Sequence, residues 1–258
     1  MRPRLLRRVW NLKPETIVHV GAHEAEELEA YESSEWGQAG IVWFEALEEK
    51  SEILRQRTRN RVGDAVHIVC LWSEDDSVVD LKVASNGQST SVLDFGYHAE
   101  LYPDITFVES RKQLTRTGDS FRCFKNERSI GLMNIDVQGT EQQVLIGFEE
   151  TMERVNAVYC EVNTQEIYVG GAFFSDLDQW LRLRGFELCD WEISHVGWGD
   201  ALWIREGLVP RYARVRRIVR KILFQPPHQV RRMRSALIAS PVGQWTRRLL
   251  RNYAWTGR

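Results

Sequence analysis

The stretch Ile130 to Gly147 reads I-G-L-M-N-I-D-V-Q-G-T-E-Q-Q-V-L-I-G and joins a short apolar run to a helix through an acidic corner. Leu132, Met133 and Ile135 suit a strand buried on both faces, as a parallel sheet covered by helices requires. Gly139 allows a tight turn, and Thr140 with Gln143 three residues on predicts a capping box ahead of Val144 and Leu145. Strand, turn and helix therefore follow one another, with Asp136 at the strand's carboxyl end. In open α/β sheets ligands bind outside the carboxyl ends of the strands, so Asp136 is a candidate for chemistry. An acid in this position also serves as a plain turn residue.

Outward from this unit the same grammar repeats. T-I-V-H-V (Thr16 to Val20) predicts a strand ending at Gly21, with a helix starting in E-A-E-E-L-E-A-Y. The loop between them lacks the later glycines of a dinucleotide fingerprint. Glu24, Glu26 and Glu27 would moreover repel a pyrophosphate at the helix start. G-I-V-W-F-E (Gly40 to Glu45) is a second strand, and its terminal carboxylate lies 24 residues after Gly21. An acid so placed can accept hydrogen bonds from both hydroxyls of a ribose. A polar helix over Ala46 to Arg59 and a third strand over Ala65 to Trp72 come next.

The segment from there to Ile130 contains β-rich pieces at Val78–Val83 and Phe107–Leu114 and a hydroxyl cluster, Ser89, Thr90 and Ser91. Thr90 and Ser91 are candidate substrate contacts, on an insertion able to form a lid at the ligand end of a sheet. After the central unit, Val155–Asn163 predicts another buried strand with Glu161 near its end. Two acids on neighbouring strands suit a general base and an orienting partner, or a shared divalent cation, although no metal is otherwise indicated. Ser175 and Asp178 are read as caps of an amphipathic helix bearing Leu177, Trp180 and Leu181. F-E-L-C-D-W and A-L-W-I-R form a closing strand pair, with His195 in the connection as a further catalytic candidate.

Charge divides the chain more sharply than its net value of -2 implies. Residues 1–13 hold five basic groups and no acid, residues 209–258 hold 13 basic groups and no acid, and residues 14–208 hold 16 basic and 36 acidic groups. An acidic domain at 14–208 is thus predicted between a basic extension at 1–13 and a basic tail at 209–258. In the tail, Val215, Ile218, Val219, Ile222 and Leu223 recur at helical spacing opposite Arg214, Arg217 and Lys221. This pattern suits peripheral contact with an anionic membrane face, or nucleic acid through the same charges. With no membrane-length apolar run and no signal-peptide core at the start, the expected compartment is the cytoplasm, with the tail at the inner face of a membrane. Four dispersed cysteines form neither a zinc motif nor a disulfide framework.

From about Thr16 to Arg205 the chain resembles the FkbM-type S-adenosylmethionine-dependent methyltransferases. The resemblance is carried by I-D-V-Q-G-T-E-Q-Q-V-L-I-G, by V-G-A-H at Val20–His23, by W-F-E-A at Trp43–Ala46, and by Glu161-Val162 with G-W-G-D-A-L-W. It implies a class I methyltransferase fold: α/β, Rossmann-like, doubly wound, with seven mostly parallel strands, here followed by the basic helical tail. It further implies S-adenosylmethionine held against Val20, Gly21, Ala22, His23, Glu45, Ala46, Leu71 and Trp72. Asp136, Glu161 and His195 are then the catalytic candidates for methyl transfer to a hydroxyl of a sugar, glycan or similar metabolite. The chain departs from the family's common residues at His19, His23 and Ala25. The competing functional class is a nucleic-acid-binding protein acting through its arginine-rich tail.

Overall fold

Strands covered on both faces need uninterrupted apolar side chains, and the sheet of this protein is built around three of them. The computed structural model describes residues 15–33, 36–121 and 129–209. In chain order its strands are β1 (Thr16–Val20), β2 (Gly40–Glu45), β3 (Ala65–Ile68), β4 (Cys70–Leu71), β5 (Val78–Ala84), β6 (Phe107–Arg116), β7 (Ile130–Ile135), β8 (Ala157–Asn163), β9 (Phe186–Ile193) and β10 (Trp198–Arg205). The helices are α1 (Leu28–Glu32), α2 (Ser51–Thr58), α3 (His98–Leu101), α4 (Glu141–Gly147) and α5 (Phe174–Leu183). Seven strands form one sheet in the order β3-β2-β1-β7-β8-β10-β9. β10 runs antiparallel to both of its neighbours, and the remaining pairs are parallel. Six parallel strands and one antiparallel strand thus make the seven-stranded, mostly parallel α/β sheet that the family resemblance implied. The predicted extension at 1–13 and, but for Val209, the predicted tail at 209–258 lie outside the described residues.

Every residue of β1, β7 and β8 is buried. Register assigns their side chains to two layers. Val18 pairs with Val42 and Met133, and Val20 with Phe44 and Ile135. These six enter the main core with Val144 and Leu145 of α4 and Leu177 and Leu181 of α5. One residue out of phase, His19 pairs with Trp43 and Asn134 on the opposite face. There His19 stacks on Trp43 with ring centroids 4.9 Å apart. Asn134 Nδ2 donates to the Tyr31 hydroxyl at 3.1 Å, and that hydroxyl donates to His19 Nδ1 at 3.0 Å. Burial lowers the His19 pKa, so the ring is a neutral core group.

Several local expectations differ from the structure, each for a visible reason. The strand predicted over Ala65–Trp72 breaks at Val69, whose N–H turns to the Glu45 carbonyl at 2.6 Å; β4 then pairs with β6 in a separate sheet of order β4-β6-β5. The helix predicted after Gly21 starts only at Leu28. Before it, His23 and Ala25 take left-handed conformations, and Glu24 is drawn away by Lys50, at 2.7 Å, and by Arg57. The helix predicted over Ala46–Arg59 is a 3-10 turn at Glu48–Lys50 followed by α2. Ahead of α4 the hydroxyl of Thr140 donates back to the Val137 carbonyl. Glu141 satisfies the turn instead, accepting from the N–H groups of Gly139 at 2.9 Å and Val137 at 3.3 Å. At α5 the cap is Asp176, which accepts from Phe173 N at 3.0 Å, while Asp178 accepts from the Trp203 indole.

The start of β2 is held by Asp64, whose side chain is 2% exposed. Its two oxygens accept from Ile41 N, Trp43 Nε1 and Arg61 Nε at 3.0, 3.0 and 3.1 Å. Removing this carboxylate strands three donors, so Asp64→Ala is expected to destabilise the fold by about 3–5 kcal/mol. Chemical denaturation followed by far-ultraviolet circular dichroism measures it.

Candidate active site at the carboxyl rim of the sheet

The carboxyl ends of β1, β2, β7 and β8 line one rim. Asp136 N donates to the Val20 carbonyl at 3.0 Å, and the N–H groups of Gly21 and Ala22 both reach the Phe44 carbonyl at 3.0 Å. Gly21 has φ +83°, and a Cβ there would lie 1.8 Å from the Asp136 carbonyl oxygen, so only glycine lets the two chain ends approach. Glu45, 7% exposed, closes β2. Its Oε2 accepts from His23 N at 2.7 Å and its Oε1 from Leu47 N at 2.8 Å. Burial raises the Glu45 pKa against these two donors. Each oxygen retains a lone pair for a ligand.

Two adjoining chambers open here. The smaller, about 90 Å³, lies between Glu45, Ala46, Val69, Leu71, Leu81 and Val92. The larger, about 410 Å³, is lined by Glu26, Glu27, Asp136 and Glu161, by Tyr102, Tyr168 and Trp198, and by Asn86, Ser89 and His98 of the insertion. Gly21, His23, Gln88, Asp136 and Gln138 line both. His23 Nε2 is buried without a hydrogen-bond partner. No lysine or arginine is among the described residues lining the larger chamber.

Carboxyls concentrate in its floor. Asp136 is open to the chamber yet ringed by protein, and this loss of bulk water, opposed by the Gln138 amide and reinforced by Asp200, pushes its pKa up to about 6. Glu161, 7% exposed, is raised well above the usual range by burial and by Asp136 and Glu141. Gln138 Nε2 donates to Asp136 Oδ1 at 2.6 Å and to Glu161 Oε2 at 3.3 Å. Both carboxyls are raised, Glu161 the more strongly, so of the two Glu161 is the one that favours holding a proton. No group of three or more His, Cys, Asp or Glu side chains among the described residues is arranged to hold a metal ion.

The sequence candidates are thus partly brought together. Val20, Gly21, His23, Glu45, Ala46 and Leu71 line the smaller chamber, and Asp136 and Glu161 line the larger. Ala22, buried, and Trp72, half-buried, line neither chamber. His195 is exposed in the β9–β10 turn, outside both linings. Thr90 and Ser91 border the smaller chamber, where the hydroxyl of Ser91 is committed to the Gln138 carbonyl and that of Thr90 to Ala84 N. Ser89 was noted in the sequence only as part of the hydroxyl cluster, and Gln88, His98, Gln138, Tyr168 and Trp198 were not singled out. Gln88 and His98 carry no short-range signal, because the insertion reaches the rim only through tertiary contacts. Gln138 could have been found from its place between Asp136 and Gly139.

Glu141 is fully buried, and its Oε2 has no hydrogen-bond partner. Burial, opposed by the Gly139 N–H and reinforced by Asp136, raises its pKa to about 7 from 4.5. The folded state therefore binds this proton more tightly than the unfolded chain does. That stability is fully present below pH 4.5 and is lost as pH rises through 7. Glu141→Gln is expected to remove this dependence and to gain on the order of 1–3 kcal/mol over the wild type at pH 8, relative to the same comparison at pH 4.5. Thermal melts across that range measure it.

Comparison with known proteins identifies the family. A family model described as the methyltransferase FkbM domain matches residues 19–188. Solved structures of similar outline include magnesium protoporphyrin IX methyltransferase from Synechocystis PCC 6803 with bound SAM. It shows 7% identity over 79% of this chain and 76% of that one, with TM-score 0.44. The N-terminal domain of EvdMO1 with SAH bound shows 9% identity over 79% of each chain, with TM-score 0.45. The Methanococcus jannaschii fibrillarin pre-rRNA processing protein shows 11% identity over 78% and 69%, with TM-score 0.44. No curated protein matches the sequence significantly. The solved structures are distant likenesses, and family membership does not depend on them. With well over half of its residues matched by the family model, the chain belongs to the FkbM methyltransferase domain family.

Proposed function

We propose that the protein is an S-adenosylmethionine-dependent O-methyltransferase whose acceptor is an uncharged hydroxyl compound, such as a sugar, a glycan or a similar polyol. The observation that carries the reading is the junction at Gly21 and Asp136 of a chamber bearing a strand-end acid, Glu45, with a chamber bearing paired carboxyls. The residues fit the cofactor chemically. Glu45 has lone pairs for a ribose diol, and Val69, Leu71, Leu81 and Val92 offer apolar walls for a purine. The buried, unpartnered His23 Nε2 at the junction awaits a polar group. The smaller chamber is too small for a nucleoside alone, but the two together reach the roughly 300–1,000 Å³ of small-molecule sites, so an extended ligand would span both.

When bound, the cofactor supplies a methyl group on a cationic sulfur, open to attack by an acceptor oxygen. The chain's own part is to align that oxygen and take its proton. Holding two reactants in an attack geometry is worth roughly 7–11 kcal/mol. Asp136, with a pKa of about 6, is ionised at neutral pH and accepts the proton of the acceptor hydroxyl. Glu161 keeps its proton and can donate a hydrogen bond to an acceptor oxygen. Four carboxyls and no described lysine or arginine in the larger chamber disfavour phosphate-bearing acceptors, polynucleotides included.

Calorimetry with S-adenosylmethionine and its demethylated product tests cofactor binding. Glu45→Ala is expected to weaken it about 10–100-fold, as loss of a charge-assisted hydrogen bond costs ~1.5–3 kcal/mol. Glu52→Ala, on the exposed face of α2, should leave it unchanged. Equal affinities for wild type and Glu45→Ala would defeat the cofactor assignment. A mass-spectrometric screen for methyl gain should find acceptors among uncharged glycans and none among their phosphorylated counterparts. On such an acceptor Asp136→Asn is expected to lower turnover by about 10²–10⁴-fold while cofactor affinity is retained.

A further inference from the structure

Gln138 is fixed from both ends. Its φ of +58° is a conformation that a residue with a side chain keeps only where its surroundings over-determine it. Ser91 Oγ donates to its carbonyl at 2.7 Å and accepts from Leu93 N at 3.0 Å, which ties the insertion to this turn. At the other end the Tyr168 hydroxyl donates to Gln138 Oε1. Tyr168 is 2% exposed, and burial with the neighbouring carboxyls keeps its hydroxyl protonated. Its ring lies against Gly139, where φ is +100° and a Cβ would come within 2.8 Å of Tyr168 Cβ. The Ser89 hydroxyl, which accepts from Asn86 Nδ2 at 3.0 Å, supports the phenol from behind.

This arrangement decides which way the amide faces. A carboxyl pair sharing one proton needs donors, and a glutamine offers donors on nitrogen alone. With Oε1 taken by the phenol, Nε2 is left 2.6 Å from Asp136 and 3.3 Å from Glu161. Asp136 has the shorter contact. Among the described residues the other charged groups felt by Asp136 or Glu161, namely Glu27, Glu141 and Asp200, are acids, and the amide opposes their repulsion. Rotated by half a turn, it would present oxygen to oxygen.

We infer that Tyr168 is a positioning residue: by donating to Gln138 Oε1 it holds the amide nitrogen against Asp136, which keeps the charge on Asp136 and the shared proton on Glu161. The inference rests on the reading of Asp136 as the base. Its electrostatic content nevertheless exists in the protein without cofactor or acceptor.

The test is the titration of Asp136 in the full chain by carboxyl carbon NMR. Tyr168→Phe removes the anchor and is expected to raise the Asp136 midpoint by about half a pH unit or more. Gln138→Ala should give the same rise, and the double variant no further one, because both act through the same contact. In turnover, the acid limb of the pH profile should move up by the same amount in Tyr168→Phe, with the KM for S-adenosylmethionine unchanged. A role confined to packing would lower the melting temperature and leave the midpoint in place. A folded Tyr168→Phe protein with the wild-type midpoint therefore overturns the proposal. If that variant folds poorly, Gln138→Met, which keeps length without a donor, carries the test, and an unchanged midpoint there overturns it equally. A raised midpoint in a protein that neither binds the cofactor nor transfers methyl would defeat the enzymatic reading and leave the positioning role standing.

Discussion

The approach of two strand ends governs the rest of the molecule. Where β1 and β7 finish, the Val20 carbonyl accepts from Asp136 N, and the absence of a side chain on Gly21 lets the Asp136 carbonyl come closer than any Cβ would allow. That contact sets the distance between the loop leaving β1 and the turn leaving β7. Both chambers share these residues, so one local constraint in the backbone fixes the width of the site. The buried register of the central strands supports it from below, because a slip by one residue would exchange His19 and Val20 between faces.

Above this floor the dominant physical fact is an excess of carboxyls in a region poor in cations. Asp136, Glu141 and Glu161 are all raised, first by the loss of water around them and then by one another. The structure separates their roles by environment. Glu141 is sealed beneath the turn and satisfies two backbone N–H groups. Glu161 is buried beside the chamber, and Asp136 is open to it. The proposed base, Asp136, and its proposed proton-holding neighbour, Glu161, differ along that gradient of exposure, with the Gln138 amide as the asymmetry between them. The same excess of negative charge is what supports the proposal of an uncharged acceptor.

The insertion between β4 and β7 supplies most of what the sheet lacks. Its β5–β6 pair forms a second sheet with β4, its loop carries Asn86, Gln88 and Ser89 to the rim, and α3 brings His98 there. Ser91, a candidate substrate contact on composition, instead buttresses the backbone of Gln138. Polar residues that brace an insertion against a sheet have the same composition as residues that touch a ligand, and only their hydrogen-bond partners distinguish the two.

By itself the sequence determined the α/β class, the seven sheet strands apart from their exact ends, and the strand-end acids Glu45, Asp136 and Glu161. These are short-range signals, since apolar runs, punctuating glycines and strand-terminal acids are contiguous in the chain. The residues around them also carried the family resemblance. Tertiary structure alone decided that the third strand divides at Val69, that Glu141 rather than Thr140 secures the turn, and that His195 stands apart from the site. It also decided that Tyr168, 30 residues beyond Gln138, sets the direction of that amide. The physical reason is common to all of these. Each depends on which backbone donor or side chain arrives from a distant segment to claim a hydrogen-bonding group, and no periodicity in the sequence records that partner.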